Sequence, residues 1–163
     1  MTRNLMVLFA AGGSAALMAG AFAFQALGYP PCAMCIWQRW PHVAAILIGV
    51  LAWKIRGVLL PALGALAAAI TGSIGFFHMG VERDWWEGPT SCTGNGGLDG
   101  LGGADLLAVT GPKVIMCDQV SWAFLSLSMP TWNGIFSFVL VGFWIAAIRL
   151  NGVSTKAGSS RNV

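Results

Sequence analysis

The sequence predicts an all-α membrane protein, a four-transmembrane-helix bundle with N and C termini cytoplasmic and a long extracytoplasmic loop between spans three and four. Three observations predict it: an apolar composition, four long apolar runs, and basic residues gathered toward one side. The 163 residues are 56% hydrophobic and 9% charged, with mean hydropathy +0.73. A soluble domain of this size has too little interior to hide so much apolar surface, so the chain needs lipid.

The first run, 5–27, carries no charge, and its one strongly polar side chain is Gln25. At about 1.5 Å per residue it reaches roughly 34 Å, enough to cross a hydrocarbon core of about 30 Å. A cleaved signal peptide is the alternative, since Arg3 precedes the run and Ala21-Phe22-Ala23 imitates a cleavage site. The run exceeds the usual apolar region of about 7 to 15 residues, which favours a retained span. Tyr29-Pro30-Pro31 lacks the small residues that acylation of Cys32 needs, so that thiol is left for other chemistry.

The second span covers 36–53 with one charge, Arg39, near its start; the third covers 58–79; the fourth covers 132–149. Gly64, Ala65, Ala68, Gly72 and Gly75 recur at three- and four-residue spacing along span three, which lets neighbouring helices approach closely. The whole chain, 1–163, reads as a single membrane domain, with outer loops at about 28–35 and 80–131.

Arg3, Lys54, Arg56, Arg149, Lys156 and Arg161, six of nine basic residues, fall on one side, which the positive-inside rule makes cytoplasmic. All six acids lie on the other, a weaker corroboration. Trp37, Trp40 and Trp132 fit an outer aromatic belt and Trp53 an inner one. Cys32, Cys35, Cys92 and Cys117 then all face the extracytoplasmic compartment, where disulfides form and persist.

Cys32-Ala33-Met34-Cys35 opens a helix, where unpaired N–H groups and the positive end of the helix dipole favour a thiolate. Arg39 shares a helical face with Cys35, one turn further in. An Arg at that depth needs a partner and reads as functional, against the plainer reading that it snorkels to lipid phosphates. Cys92 and Cys117 flank the glycine-rich run 93–103, whose composition suits a mobile loop. They read either as a structural staple of that loop or as a second dithiol exchanging with the first. Four cysteines also allow a tetrahedral metal site, but only one pair has the two-residue spacing, and no metal is expected.

Val114 to Cys117 leads into Trp122, Phe124, Leu125, Leu127 and Met129, a segment suited to the headgroup boundary that would hold Cys117 near Cys32. His78 closes span three with Glu82 one turn later, so the two could pair. His42 reads as structural.

Pro31-Cys32-Ala33-Met34-Cys35-Ile36-Trp37-Gln38-Arg39, His78, Gly88-Pro89-Thr90-Ser91-Cys92, Cys117-Asp118-Gln119-Val120-Ser121-Trp122 and Ser128-Met129-Pro130-Thr131-Trp132-Asn133 together resemble the bacterial disulfide bond formation protein B family, DsbB. The resemblance covers nearly the whole chain. It implies a protein dithiol:quinone oxidoreductase of the bacterial inner membrane, which reoxidises a periplasmic DsbA-like thioredoxin-fold oxidase and passes the electrons to ubiquinone or menaquinone. Carried over residue by residue, Cys92 forms the mixed disulfide with the partner, Cys117 is its intramolecular mate, and Cys32 exchanges with Cys117. Cys35 faces the quinone, Arg39 favours its thiolate and hydrogen-bonds a quinone oxygen, and His78 lines the same site. The implied partners are the DsbA-like oxidase, the membrane quinone pool and the lipid bilayer; nucleic acid is not among them. The run after Cys92 and the stretch Glu82 to Glu87 depart from the family pattern and bear on partner preference. Alternatives are a vitamin K epoxide reductase-like enzyme, disfavoured because its Cys-x-x-Cys comes late in the bundle, a DsbB relative dedicated to one client, and a non-enzymatic subunit with structural disulfides.

Overall fold

The computed structural model describes residues 2–89, 92 and 116–159, with the backbone alone for 152–159. The glycine-rich run 93–103, Val114, Ile115, Asp99, Asp105, Arg161 and the side chain of Lys156 lie outside the described residues. The elements are α1 (Arg3–Ala26), α2 (Ala33–Lys54), α3 (Leu59–Glu82), β1 (Ala123–Phe124), β2 (Leu127–Ser128) and α4 (Met129–Ser159). Each of the four helices is long and apolar enough to cross a membrane, α4 over Met129–Asn151. The expected all-helical bundle is therefore present, and the β elements are two residues each.

Helix ends follow local chemistry. The Leu27 N–H closes α1 on the Ala23 carbonyl, and Gly28 at φ 94° turns the chain where a side chain would be strained. Pro30 and Pro31 then keep the connection extended. Cys32 caps α2: its Sγ accepts the Cys35 backbone N–H at 3.2 Å. The second helix thus begins at Ala33, earlier than the apolar run from 36, because polar cap chemistry and not hydropathy decides where its first turn starts. Pro130 occupies the first turn of α4, where its missing N–H is not needed.

Consecutive helices pack as neighbours and α4 closes the ring against α1, while α1 and α3 barely meet across the diagonal. Close approach rests on glycine in α3. A Cβ at Gly64 would stand 2.5 Å from the Trp144 ring, and one at Gly75 would stand 2.7 Å from the Pro130 carbonyl oxygen. Trp144, fully buried, centres an apolar core with Met6, Val7, Ala10, Ala68 and Leu140. Leu8, Leu47, Leu59, Leu66 and Val139 point outward, as a lipid-facing surface requires.

Two contacts gather one end of the bundle. Arg3 Nη2 donates to the Ile55 carbonyl at 3.1 Å, and Asn151 Nδ2 donates to the Gly57 carbonyl at 2.8 Å. The start of α1, the connection carrying Lys54 and Arg56, and the region after Arg149 therefore share an end, as the basic residues imply. The four cysteines lie at the opposite end. There, β1 and β2 form an antiparallel hairpin across Leu125 and Ser126, both at positive φ (51° and 62°). Such a turn is ordinarily announced by Asn-Gly or Asp-Gly, so this sequence gives no signal for it.

Candidate functional site

At the N-terminal end of α2, cap geometry brings the two sulfurs of the Cys-x-x-Cys together: Cys32 Sγ donates to Cys35 Sγ at 2.8 Å. Both are free thiols, Cys32 buried and Cys35 half-buried. Donation to Cys35, and then burial, push the Cys32 thiol well above the ordinary thiol range, so at neutral pH the proton rests on Cys32 and Cys35 is the accepting sulfur.

Cys92 and Cys117 form a disulfide. The Cys117 N–H also donates to the Cys92 carbonyl at 2.7 Å, and the Cys92 N–H to the Pro89 carbonyl at 2.7 Å. This disulfide packs into one buried cluster with Cys32, Met34 and Val81, with Cys35 against its edge. The two pairs anticipated from sequence are thus adjacent, one oxidised and one reduced.

His78, the buried histidine near the end of α3, binds them together. Its Nε2 lies 3.2 Å from the Cys117 carbonyl oxygen and 3.6 Å from Cys32 Sγ, and its Nδ1 lies 3.2 Å from Gln38 Nε2. The expected pairing with Glu82 does not form. Glu82 hydrogen-bonds Ser128 instead, because the His78 ring faces inward across the bundle toward α2. Cys32, Cys35 and His78 place potential metal-ligating atoms within 4.8 Å of one another. A carbonyl accepts from Nε2, so the edge turned to Cys32 carries a hydrogen and offers no lone pair to a cation.

Arg39, one turn inside Cys35, donates from Nη1 to Gln25 Oε1 of α1 at 2.9 Å and stands 4.8 Å from the centre of the Phe22 ring. Its partner is therefore a side chain of a neighbouring helix. Beside it opens a cavity of about 470 Å³, lined by Phe24, Cys35, Arg39, His78, Trp122 and Trp132 among others. That volume suits a small organic ligand. Arg39 also holds a buried Nε without a hydrogen-bond partner among the described residues.

Gln38, Thr71 and Asn133 were not singled out as functional from sequence, yet all three connect to this site. Asn133 Nδ2 donates to Gln38 Oε1 at 2.8 Å and to Thr71 Oγ1 at 3.2 Å. Their signal was available: polar side chains within apolar spans face the bundle interior and find partners there. His42, read as structural, bonds Asn133 Oδ1 at 2.9 Å and also lines the cavity.

A family profile described as disulfide bond formation protein DsbB matches residues 3–147. The chain belongs to the DsbB family. Relatives named disulfide bond formation protein B include one from Xanthomonas oryzae pv. oryzae (strain MAFF 311018), 31% identical over 72% of this chain and 73% of its own. Another, from Shewanella sp. (strain MR-4), is 31% identical over 91% of this chain and 89% of its own. A third, from Aromatoleum aromaticum, is 28% identical over 79% and 81%. No solved structure matches the chain. Membership makes this a multi-pass membrane protein of disulfide bond formation, with its four cysteines at one end of the bundle.

Proposed function

We propose that the chain is a protein dithiol:quinone oxidoreductase of the bacterial inner membrane, with its cysteine end in the periplasm and a DsbA-like dithiol protein as its electron donor. The observation that carries this reading is the stacking of an oxidised pair, Cys92–Cys117, on a reduced pair, Cys32 and Cys35, which itself borders the cavity beside Arg39.

Cys92 takes the attack of the partner's thiolate, and the Cys92–Cys117 bond breaks to leave Cys117 as thiolate. The partner's second thiolate then attacks the mixed disulfide, so the partner leaves oxidised and Cys92 and Cys117 are left reduced. Cys117 next attacks Cys32 of a Cys32–Cys35 disulfide and releases Cys35. Cys92 attacks Cys117 in turn and releases Cys32, which restores the Cys92–Cys117 bond and yields the arrangement seen here. Two electrons and two protons now reside on Cys32 and Cys35.

A quinone held in the cavity supplies an acceptor for that pair of electrons and protons. Its fit is supported by the apolar walls, the volume and the Arg39 side chain in the lining, a cation suited to a carbonyl oxygen. Arg39 would orient such a head group toward Cys35, the accepting sulfur, and Trp122 and Trp132 in the same lining would limit the access of water. Either ubiquinone or menaquinone meets these demands.

The test mixes the purified protein with a reduced DsbA-like substrate and a soluble quinone and follows quinone reduction. Wild type should turn over; Cys35→Ser and Cys92→Ser should each lose at least about a hundredfold in rate, the scale of removing a catalytic nucleophile. Undiminished turnover in both variants contradicts the reading.

A further inference from the structure

Across the middle of the outer half of the bundle runs a buried chain of side-chain amides whose donor and acceptor ends are fixed by backbone carbonyls. Thr71 Oγ1 lies 3.0 Å from the Gln38 carbonyl oxygen, which can only accept, so the hydroxyl hydrogen points there. Thr71 Oγ1 is then an acceptor for Asn133, which must present Nδ2 to it at 3.2 Å. The same Nδ2 donates to Gln38 Oε1 at 2.8 Å. Gln38 Nε2, on the other arm of its amide, donates to the Met34 carbonyl at 3.2 Å. A flipped Gln38 would set two oxygens against each other at Met34 and two nitrogens against each other at Asn133.

One consequence reaches the sulfurs. Gln38 Nε2 also stands 3.2 Å from His78 Nδ1, and since Nε2 is a donor, Nδ1 must be the lone-pair nitrogen. The single ring hydrogen of a neutral His78 then sits on Nε2, between the Cys117 carbonyl oxygen and Cys32 Sγ. The Cys117 carbonyl, itself able only to accept, requires the same tautomer from the other side.

We propose that Gln38 is a positioning residue that holds His78 as the Nε2–H tautomer, so that one N–H tethers Cys117 beside Cys32 and meets the charge on Cys32 when that sulfur is released. Asn133 and Thr71 hold Gln38 in turn. In the exchange between the pairs, Cys92 attacks Cys117, the Cys117–Cys32 bond breaks, and the bonding electrons leave on Cys32. Nε2 lies 3.6 Å from that sulfur, close enough for its hydrogen to swing from the carbonyl onto the thiolate. With Gln38 unable to donate, Nδ1 is free to take the hydrogen, and a bare Nε2 then opposes both the Cys117 oxygen and the thiolate. The proposal rests on the exchange order given above but needs no quinone.

Two measurements on the full-length protein in detergent, both without quinone, test it. The first is the imidazole nitrogen spectrum of His78 in protein labelled with ¹⁵N-histidine, assigned against His78→Asn. The second is the single-turnover rate at which Cys92 and Cys117 become oxidised at the expense of Cys32–Cys35. Wild type should show a protonated Nε2 and a bare Nδ1. Gln38→Leu should give a mixture of tautomers and exchange about tenfold slower, the scale of one hydrogen bond to a charged group. Asn133→Leu, which loosens Gln38 without removing its donor, should shift both readouts in the same direction by less, and it serves if Gln38→Leu does not fold. A wild-type spectrum with Nδ1 protonated overturns the proposal, as does unchanged exchange in a variant whose tautomer has shifted. Wild type that meets both expectations yet fails to reduce quinone would sink the proposed function and leave this inference standing.

Discussion

Arg39 of α2 reaches across the helix interface to Gln25 of α1, with Nη1 2.9 Å from Oε1, so the one charge in the first half of span two is anchored by the one strongly polar side chain of span one. The anchor orients the guanidinium over Phe22 and along the cavity wall. Hydrogen bonds between membrane helices are worth about 0.6 kcal/mol on average, so Gln25→Leu should raise the KM for a soluble quinone about threefold with kcat little changed. Arg39→Lys should cost about tenfold or more in kcat/KM, since a point charge cannot reproduce the planar donor set. Steady-state quinone titrations check both.

The Cys32 thiol is raised first by its hydrogen bond to Cys35 and second by burial. A raised thiol pKa keeps the neutral form to higher pH, so Cys32 should alkylate only at pH well above the ordinary thiol range. Removing the larger cause in Cys35→Ala should bring the midpoint of the Cys32 pH–alkylation profile down toward the ordinary value, with burial holding it from returning fully. A midpoint that stays in place shows that the sulfur pair does not set it.

Glycine in α3 should be intolerant where the backbone of α4 is against it. A Cβ at Gly75 meets the Pro130 carbonyl oxygen at 2.7 Å and the Gly134 nitrogen at 3.0 Å, neither of which is a flexible side-chain end. Gly75→Ala should destabilise by about 1–3 kcal/mol, the ordinary cost of overpacking. Gly12→Ala, with nothing within 4 Å, should be neutral in the same thermal unfolding assay in detergent.

Arg3, the α2–α3 connection and Asn151 share one end of the bundle, and the proposed sidedness puts that end in the cytoplasm. On whole cells treated with a reductant, a membrane-impermeant thiol reagent added outside should label the cysteines, once the outer membrane is permeabilised. Labelling confined to inverted vesicles reverses the orientation.

The four spans were legible because hydropathy and length alone determine them, and the chemistry-bearing end was legible because Cys-x-x-Cys at a helix start has few other uses. Span boundaries shifted where Cys32 and Pro130 set helix starts that hydropathy cannot see. The partner of His78 was not legible. Spacing along α3 offers Glu82, whereas the ring turns across the bundle to Gln38, and the face of α3 that meets α2, marked by the Thr71 bond to the Gln38 carbonyl, is set by tertiary packing and not by local sequence. The hairpin at Leu125 and Ser126 lacks the residues that its positive φ angles favour, so only the flanking structure explains it.

The central claim is that Cys32 and Cys35 deliver electrons to a quinone while Cys92–Cys117 stays oxidised. It is tested most directly by preparing the protein with two free thiols and one disulfide, adding quinone anaerobically with no partner present, and counting both products. The account predicts one quinol formed per chain with loss of the Cys32 and Cys35 thiols, and no quinol from Cys35→Ser. Retention of both thiols with no quinol formed, or an equal yield from Cys35→Ser, would contradict it.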